Sequence, residues 1–204
     1  IRRPPRSTLD RSSAASDVYK RQVDYYSMPG QKWILGPDGI GALYIKESHI
    51  SKLRPSFVSS RAAKVWDALG SYEVDTDSIG KFRLTTTSTP IKAGFKEALR
   101  FFQDDIGGVP GTEQVTRNLA SQMKTALHSV PNLTLHSPLE GPEATSLVTF
   151  SIDGKIAGDI VSELWTKKRI VCRAIHPLNG VRLSLHVFNT ESDIAQTVEA
   201  IAAL

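Results

Sequence analysis

The sequence predicts an α/β fold that includes a small domain with a mostly antiparallel sheet and helices on one face. The prediction depends on the order in which helical and strand patterns alternate along residues 112–204. Apolar residues at three- and four-residue spacing predict helices over residues 112–130, 156–167 and 190–203. Alternating apolar and polar residues predict strands over residues 133–136, 146–152, 169–173 and 181–187. The resulting order is α-β-β-α-β-β-α.

The ends of these helices carry recognisable signals. Thr112 marks the start of the first helix, and Pro131 ends it because proline cannot continue a helix. Thr190 is the expected N-cap of the last helix, with Asp193 in the third position of a box-like cap. Met123 lies on the apolar face of the first helix, so we interpret it as core packing.

The first 22 residues differ in composition from the rest of the chain. They hold six basic and two acidic side chains, a net charge of +4, which equals the formal charge of all 204 residues. Residues 23–204 therefore sum to zero, and the basic pI describes this leader alone. A transit peptide or a nucleic-acid-binding arm can have such a composition. The segment also resembles a translated sequencing-adapter scar, so we expect residues 1–22 to be a non-native or disordered leader.

Composition limits the function classes of the remaining chain. Residues 23–204 are numerous enough for one domain with a sizeable core. One cysteine excludes an internal disulfide and fits a reducing, cytoplasmic setting. No apolar run approaches the ~18 residues of a membrane helix, so we expect no membrane partner. We also expect no nucleic-acid partner, because the body shows no basic face.

Residues 23–107 carry weaker structural signals. Short strands are predicted at residues 24–28 and 42–45, and a long polar connection with a short helix at residues 62–69 follows. Five consecutive hydroxyl residues, 85–89, disfavour a helix and predict a turn. A helix then carries Ile91, Phe95, Ala98, Leu99 and Phe102 on one face. Gly107-Gly108 marks the expected domain boundary.

Lys32 lies on the loop between the first two predicted strands. It is followed by the run Gly36-Pro37-Asp38-Gly39-Ile40-Gly41 and by the apolar segment of residues 42–45. A lysine on a tight loop, where glycines let backbone come close, can attack a carbonyl carbon. For an arbitrary lysine near glycines, a solvated side chain on a surface hairpin is the commoner explanation.

The whole run from Gly30 to Ile45 closely resembles the Schiff-base segment of class V aminotransferase-like enzymes. These enzymes use pyridoxal 5'-phosphate (PLP) and have the aspartate aminotransferase-like fold, known as fold type I. The resemblance implies that Lys32 is catalytic and bonds the cofactor aldehyde. It also implies that Gln31, where many relatives have histidine, helps to bind the cofactor. Thr86 would lend its hydroxyl to the cofactor phosphate of the neighbouring subunit, in a homodimer whose active site is shared between subunits.

The same resemblance suggests how the chain is divided. In relatives the lysine falls past the middle of the chain, whereas here it lies near the start. We therefore expect residues 23–107 to be the C-terminal part of the PLP-binding large domain and residues 108–204 to be the small C-terminal α/β domain. The residues that hold the cofactor ring in relatives would precede Val23, so this polypeptide alone should be a poor catalyst.

Arg173 and Arg182 lie near the ends of two adjacent predicted strands. A hairpin can bring the two guanidinium groups together, and such a pair makes sense only with an anion between them. Spacing alone favours two exposed surface arginines. However, the segment Val-Arg-Leu-Ser-Leu-His-Val-Phe-Asn-Thr of residues 181–190 resembles the signature whose arginine binds the substrate carboxylate. The resemblance implies that Arg182 binds this group and that Arg173 assists.

The resemblance implies an enzyme that acts on a small amino acid, with the amine of Lys32 as the base that takes the Cα proton. Cysteine desulfurases of this fold accept sulfur on a loop cysteine between the positions of Arg173 and Arg182. Here that loop has no cysteine, and Cys172 is expected inside an apolar strand with a raised pKa. We therefore expect a β-lyase, or an epimerase- or aminotransferase-like enzyme.

Three alternatives remain. One is a cysteine desulfurase-type sulfur transferase. Another is a non-catalytic α/β module that binds a partner, and the third is a nucleic-acid binder that uses the basic leader.

Overall fold

The computed structural model describes residues 23–84 and 86–204, so the leader of residues 1–22 lies outside the described part. The chain divides into two compact units between Glu97 and Ala98. We call them the first unit and the second unit and describe each by itself.

The first unit begins with a two-stranded antiparallel sheet. Strand β1 (Tyr25–Pro29) pairs with β2 (Gly41–Ile45), and Tyr25 lies opposite Ile45. These strands confirm the two predicted on either side of the lysine loop. A short helix, α1 (Glu47–Ile50), follows, and helix α2 (Thr89–Arg100) begins in the predicted hydroxyl-rich turn. Helix α2 continues into a π-helical turn at Phe101–Asp105.

The short helix predicted at residues 62–69 is wrong, because the chain there forms a β-hairpin. Strand β3 (Ala63–Trp66) pairs antiparallel with β4 (Tyr72–Val74). The turn between them is fixed by Asp67, whose Oδ1 accepts the backbone N–H groups of Leu69 at 2.8 Å and Ser71 at 3.0 Å. An aspartate that binds backbone amides two and four residues on favours a turn over a helix.

The second unit has the predicted order of helices and strands. Its helices are α3 (Gly108–His128), α4 (Ala157–Lys168) and α5 (Glu191–Ala202). Its strands are β5 (Leu133–Leu135), β6 (Leu147–Ile152), β7 (Arg173–Ile175) and β8 (Gly180–Ser184). They form one sheet in the order β5-β6-β8-β7, and every neighbouring pair is antiparallel.

The core of the second unit lies between one face of this sheet and the three helices. Alternate residues of the central strands, such as Val148 and Phe150 on β6 and Val181 and Leu183 on β8, are buried in it. The helices contribute apolar side chains that include Leu127, Ile160 and Ile201. Residues between the buried positions of each strand point to the opposite face. Arg182 therefore lies on the sheet face that the helices leave uncovered.

The strand predicted at residues 169–173 begins where it was expected to end. Arg169 follows α4 in a left-handed conformation with φ 57°, and its amide donates to the carbonyl of Trp165 at 2.9 Å. The amide of Ile170 bonds back to Leu164 at 3.2 Å. This C-terminal cap uses the residues that were expected to start the strand, so pairing with β8 begins only at Arg173.

The cap predicted for the last helix is confirmed. Thr190 Oγ1 accepts the Asp193 amide at 3.2 Å, and Asp193 Oδ2 accepts the Thr190 amide at 2.8 Å. These two bonds make a capping box, which satisfies backbone donors at the start of α5. Within the described part of the chain, no helix is both long and apolar enough to cross a membrane.

Candidate active site

The lysine loop between β1 and β2 is closed by backbone hydrogen bonds. The amide of Gly30 donates to the carbonyl of Ile40 at 2.8 Å, and that of Gly36 donates to Gly30 at 2.8 Å. A third bond joins the Leu35 amide to the Lys32 carbonyl at 3.0 Å. These bonds fix the backbone on which Lys32 lies, while its side chain remains exposed.

The glycines of this loop are required by close packing. A Cβ atom on Gly30 would lie 2.8 Å from Cε2 of Phe95 on helix α2. A Cβ on Gly36 would lie 2.9 Å from the Gly30 carbonyl oxygen and 3.0 Å from Phe95 Cδ2. Any larger residue at either position would push the loop away from α2. The glycine pattern that carried the sequence resemblance therefore has a steric reason in the first unit.

The side chain of Lys32 is exposed to solvent. Its amine makes no hydrogen bond or ion pair within residues 23–84 and 86–204. Lys46, in contrast, pairs with Asp24 at 3.4 Å. An exposed amine without a partner can reach a carbonyl compound from solvent.

The other two residues predicted to bind the cofactor are also exposed. Gln31 is next to Lys32 on the loop, and Thr86 precedes helix α2. Both offer hydrogen-bond donors to solvent.

Lys81, in the same unit, has a different environment. It is 1% exposed, and its ammonium donates to the carbonyls of Ile50 and, at 3.1 Å, Thr76. Lys81 therefore ties the chain around α1 to the segment before α2. An ammonium held by two carbonyls at a buried position is a structural tie in the first unit.

Arg173 and Arg182 lie opposite each other in the second unit, on the two adjacent strands near whose ends the sequence placed them. They are directly paired in the antiparallel register of β7 and β8. Directly paired residues of neighbouring strands point to the same face, with Cβ atoms about 5 Å apart. The Nε atom of Arg182 is buried and has no hydrogen-bond partner in the described part of the chain. A buried donor without a partner is costly, so an acceptor from outside the described residues would satisfy this atom.

A cavity of about 580 Å³ lies beside the two arginines. Its volume is within the range of small-molecule sites. Apolar side chains of the core form one part of its wall. Polar side chains on α5 and in the segment just before it form another part. The lining includes Met123, Cys172, Leu183, Ser184, Asn189 and Ile194. The arrangement suits a small anionic molecule that also has an apolar part.

Cys172 lines this cavity and is half-buried against the core. The expectation that it lies inside a strand is wrong, because β7 begins one residue later, at Arg173. Burial raises the pKa of its thiol. A thiol with a raised pKa is a poor nucleophile near neutral pH because little of it is thiolate. The raised pKa expected from the sequence thus has the expected cause, although the residue precedes β7.

The connection between β7 and β8 is short and anchored. It consists of one turn, His176–Leu178, and Asn179 in a left-handed conformation with φ 43°. The Asn179 side chain accepts the Ala157 amide at 2.9 Å and donates to the Lys155 carbonyl at 2.8 Å. These bonds hold the connection against the start of α4. It therefore offers neither a cysteine nor the freedom of a mobile loop.

Sequence reasoning missed two further cations of the cavity. Lys168 and Arg169 line it together with the two predicted arginines. The signal was the run Lys167-Lys168-Arg169 at the end of α4, which by itself reads as a solvated helix end. Among the described residues, no group of three or more histidine, cysteine, aspartate or glutamate side chains could hold a metal ion.

Comparison with known proteins gives a family match over most of the chain. Residues 11–197 match the family model described as aminotransferase class-V. A probable cysteine desulfurase of Ureaplasma parvum serovar 3 is 26% identical over 195 residues, which are 91% of this chain and 46% of that protein. The chain spans about half the length of the curated relatives that it matches.

Solved structures are similar over the same extent. The cystine C–S lyase C-DES in complex with its reaction product, cysteine persulfide, is 26% identical with a TM-score of 0.79. The match covers 96% of this chain and 50% of that one. A lysine-to-alanine mutant of C-DES, with glycine covalently linked to its PLP cofactor, is 25% identical with a TM-score of 0.79 over 90% and 47% of the two chains. These likenesses confirm the predicted α/β fold of type I.

Proposed function

Because the chain belongs to the aminotransferase class-V family, we propose that it is part of a PLP-dependent enzyme that acts on a small amino acid. The observation that carries the proposal is the pair of Arg173 and Arg182, with the buried and unpartnered Nε of Arg182. Two guanidinium groups in direct register favour an anion between them. The carboxylate of an amino acid has this charge and the planar geometry that arginine binds.

The residues of the first unit fit PLP. The cofactor aldehyde needs an accessible amine, and Lys32 supplies an exposed amine on a loop closed by three backbone hydrogen bonds. Lys32 would hold the cofactor covalently. The amide group of Gln31 and the hydroxyl of Thr86 would donate hydrogen bonds to it.

When bound, PLP supplies an electron sink for the bonds of the substrate α-carbon. The chain's own groups bind the substrate and move its proton. Arg182, assisted by Arg173, binds the α-carboxylate through its N–H donors and so fixes the orientation of the amino acid. The amine of Lys32 accepts the proton from the α-carbon as general base.

We propose that the reaction is a β-elimination, with an epimerase- or aminotransferase-like reaction next. Support comes from the second unit, where the connection of residues 176–179 has no cysteine and is anchored by Asn179. The pKa of Cys172 is raised by burial, which disfavours the thiolate that a sulfur acceptor needs. The second candidate is a cysteine desulfurase-type sulfur transferase, which the names of the curated relatives favour.

We further propose that the whole enzyme is a cytoplasmic homodimer whose active site is shared between subunits, with Thr86 lending its hydroxyl to the cofactor of the partner subunit. The support is the family resemblance and the exposure of Thr86. On the basis of the same resemblance, we propose that residues 23–107 belong to the large domain and that residues 108–204 form the small domain.

The cofactor assignment is tested by incubating the full-length enzyme with PLP, reducing with borohydride and mapping the labelled peptides. We expect the adduct on Lys32, and no comparable adduct in Lys32→Ala. Lys46 is the internal control, because its ammonium is paired with Asp24. An adduct on Lys46 or Lys52 in place of Lys32 would contradict the assignment.

The carboxylate assignment is tested by Arg182→Ala in the full-length enzyme. Removing a bidentate carboxylate contact typically costs about 2–5 kcal/mol, so we expect a strong rise in KM with the absorbance of bound PLP unchanged. Arg173→Ala should give a smaller loss, because Arg173 is the more exposed of the two. Unchanged kinetics in Arg182→Ala would show that it does not bind substrate.

The reaction itself is tested by incubating the full-length enzyme with cysteine and then alkylating its thiols. We expect pyruvate release, with Cys172 unmodified by sulfur and with activity retained in Cys172→Ala. A persulfide on Cys172, together with loss of activity in that variant, would favour the sulfur transferase instead.

A further inference from the structure

The cavity of the second unit is more cationic than one carboxylate requires. Four basic side chains line it: Lys168, Arg169, Arg173 and Arg182. Among the described residues, the one carboxylate in the lining is Asp193, and it is engaged in the capping box of α5. A ligand with a single carboxylate would therefore leave uncompensated positive charge around it.

None of these four cations forms an ion pair within the part of the chain that the structure describes. The neighbouring Lys167 does, because it bonds Glu163 one turn earlier on α4. The charge of Lys167 is therefore neutralised within the protein, whereas the four cations of the cavity have no carboxylate partner among the described residues and can bind an anion. Available cations that surround one cavity raise the local concentration of anions and favour those with more charge.

Arg169 occupies a defined position in this group. Its backbone caps α4 in the left-handed conformation, and its guanidinium carbon lies 5.1 Å from the centre of the Trp165 ring. A cation–π contact of this kind restricts a guanidinium without using its N–H donors. Arg169 and Lys168, which precede Arg173 by four and five residues, therefore form a second cationic position.

We propose that this cavity takes an amino acid with a second acidic group on its side chain, such as a carboxylate, sulfinate or sulfonate. The proposal deepens the proposed function and depends on it, since the α-carboxylate is taken to bind Arg182 and Arg173. The side-chain acid binds Lys168 and Arg169. The volume of about 580 Å³ accommodates both groups.

The test uses the 204-residue chain and two matched probes, N-acetylaspartate and N-acetylasparagine. The probes have nearly the same shape and differ by one negative charge. Binding is followed by NMR chemical-shift titration at constant ionic strength, with the Trp165 indole signal and the Arg173 amide as reporters. We expect the aspartate probe to bind about two- to fivefold more tightly, the ratio that one additional charge contact of ordinary strength gives.

Variants locate the additional contact. Arg169→Gln and Lys168→Gln should remove most of the preference for the aspartate probe while leaving the affinity for the asparagine probe unchanged. Lys167→Gln is the matched control and should retain the preference, because Lys167 pairs with Glu163 outside the cavity. Equal affinity of both probes for the unmodified chain would overturn the proposal. A preference that survives in both cavity variants would do the same.

The carboxylate assignment fails in a different way. If Arg182→Ala leaves the affinity for both probes unchanged, the proposed function is wrong at that residue. If Arg182→Ala weakens both probes but the unmodified chain does not distinguish them, the α-carboxylate site stands and the second anionic group is refuted.

Discussion

Lys124 is a buried cation whose removal tests how the second unit is held together. It lies on α3 and is 1% exposed. Its ammonium donates to the carbonyls of Pro138 at 2.9 Å and Thr145 at 3.0 Å, so it holds the segment between β5 and β6 against the helix. Burial lowers the pKa of Lys124, and the nearby charge of Arg117 lowers it further.

The substitution Lys124→Met preserves the length of the side chain and its apolar stem but removes both hydrogen bonds. A bond from a charged donor contributes about 1.5–3 kcal/mol. Against this, methionine avoids the cost of burying an ammonium, and that cost offsets part of the two bonds. We expect a net loss of about 2–3 kcal/mol in the free energy of unfolding. For a unit of this size, the loss lowers Tm by about 10 °C or more.

The assay is thermal and urea unfolding followed by far-UV circular dichroism. Lys167→Met is the matched control, because Lys167 lies on the surface of α4 and its bond to Glu163 spans one helical turn. Such a pair contributes only about 0.3–0.5 kcal/mol. If Lys124→Met were as stable as the unmodified chain, the two carbonyl bonds would add nothing beyond the cost of burying the charge.

The dependence on pH provides a second check of the same residue. The pKa of Lys124 is lower in the folded protein than in the unfolded chain, so between the two values the unfolded chain binds more protons. Stability should therefore rise as pH increases from the folded pKa towards the ordinary lysine value. Lys124→Met should lack this rise. A parallel pH profile for both proteins would refute the assignment.

Three further outcomes are expected. Gly36→Ala should reduce trapping of PLP on Lys32, since the new Cβ would lie 2.9 Å from a backbone oxygen and displace the loop; trapping equal to that of the unmodified chain would contradict the steric argument. Thr190→Ala should destabilise the second unit by about 1 kcal/mol through loss of its cap, measured by urea unfolding, whereas no change would mean that the cap adds nothing. The side chain and amide of Ser71, followed by the Leu69 amide, lower the pKa of Asp67. An NMR titration should place its midpoint below the ordinary aspartate value, and the turn should loosen as pH falls through that midpoint.

The second unit was predictable because its strands and helices have clear periods. Fully and partly buried residues alternate along β6, and the capping box of Thr190 and Asp193 marks the start of α5. Residues 62–69 were mispredicted because their helical composition is overridden by the Asp67 turn, which depends on geometry between side chain and backbone. The start of β7 was misplaced for a related reason, since Arg169 adopts a left-handed cap that its residue type does not announce.

The candidate site was predictable where a motif has a steric or charge reason. The glycines around Lys32 face Phe95 and the backbone, and the two arginines fall into register once β7 and β8 pair. The burial of Lys81 and Lys124 was not predictable, because the Ile50 carbonyl that binds Lys81 and the two carbonyls that bind Lys124 are distant in sequence. The contribution of Lys168 and Arg169 to the cavity was not predictable either. A run of basic residues at a helix end usually lies in solvent, and nothing in the sequence distinguishes this one.

The direct pairing of Arg173 with Arg182 makes ligand recognition and stability compete at the same two residues. Like charges directly opposite on neighbouring strands destabilise a sheet, so the domain without a bound anion should gain stability from added salt, which screens the repulsion. An uncharged residue such as leucine in place of Arg182 would make the sheet more stable and unable to hold a carboxylate. Selection for robustness alone would therefore remove the residue on which the proposed chemistry depends.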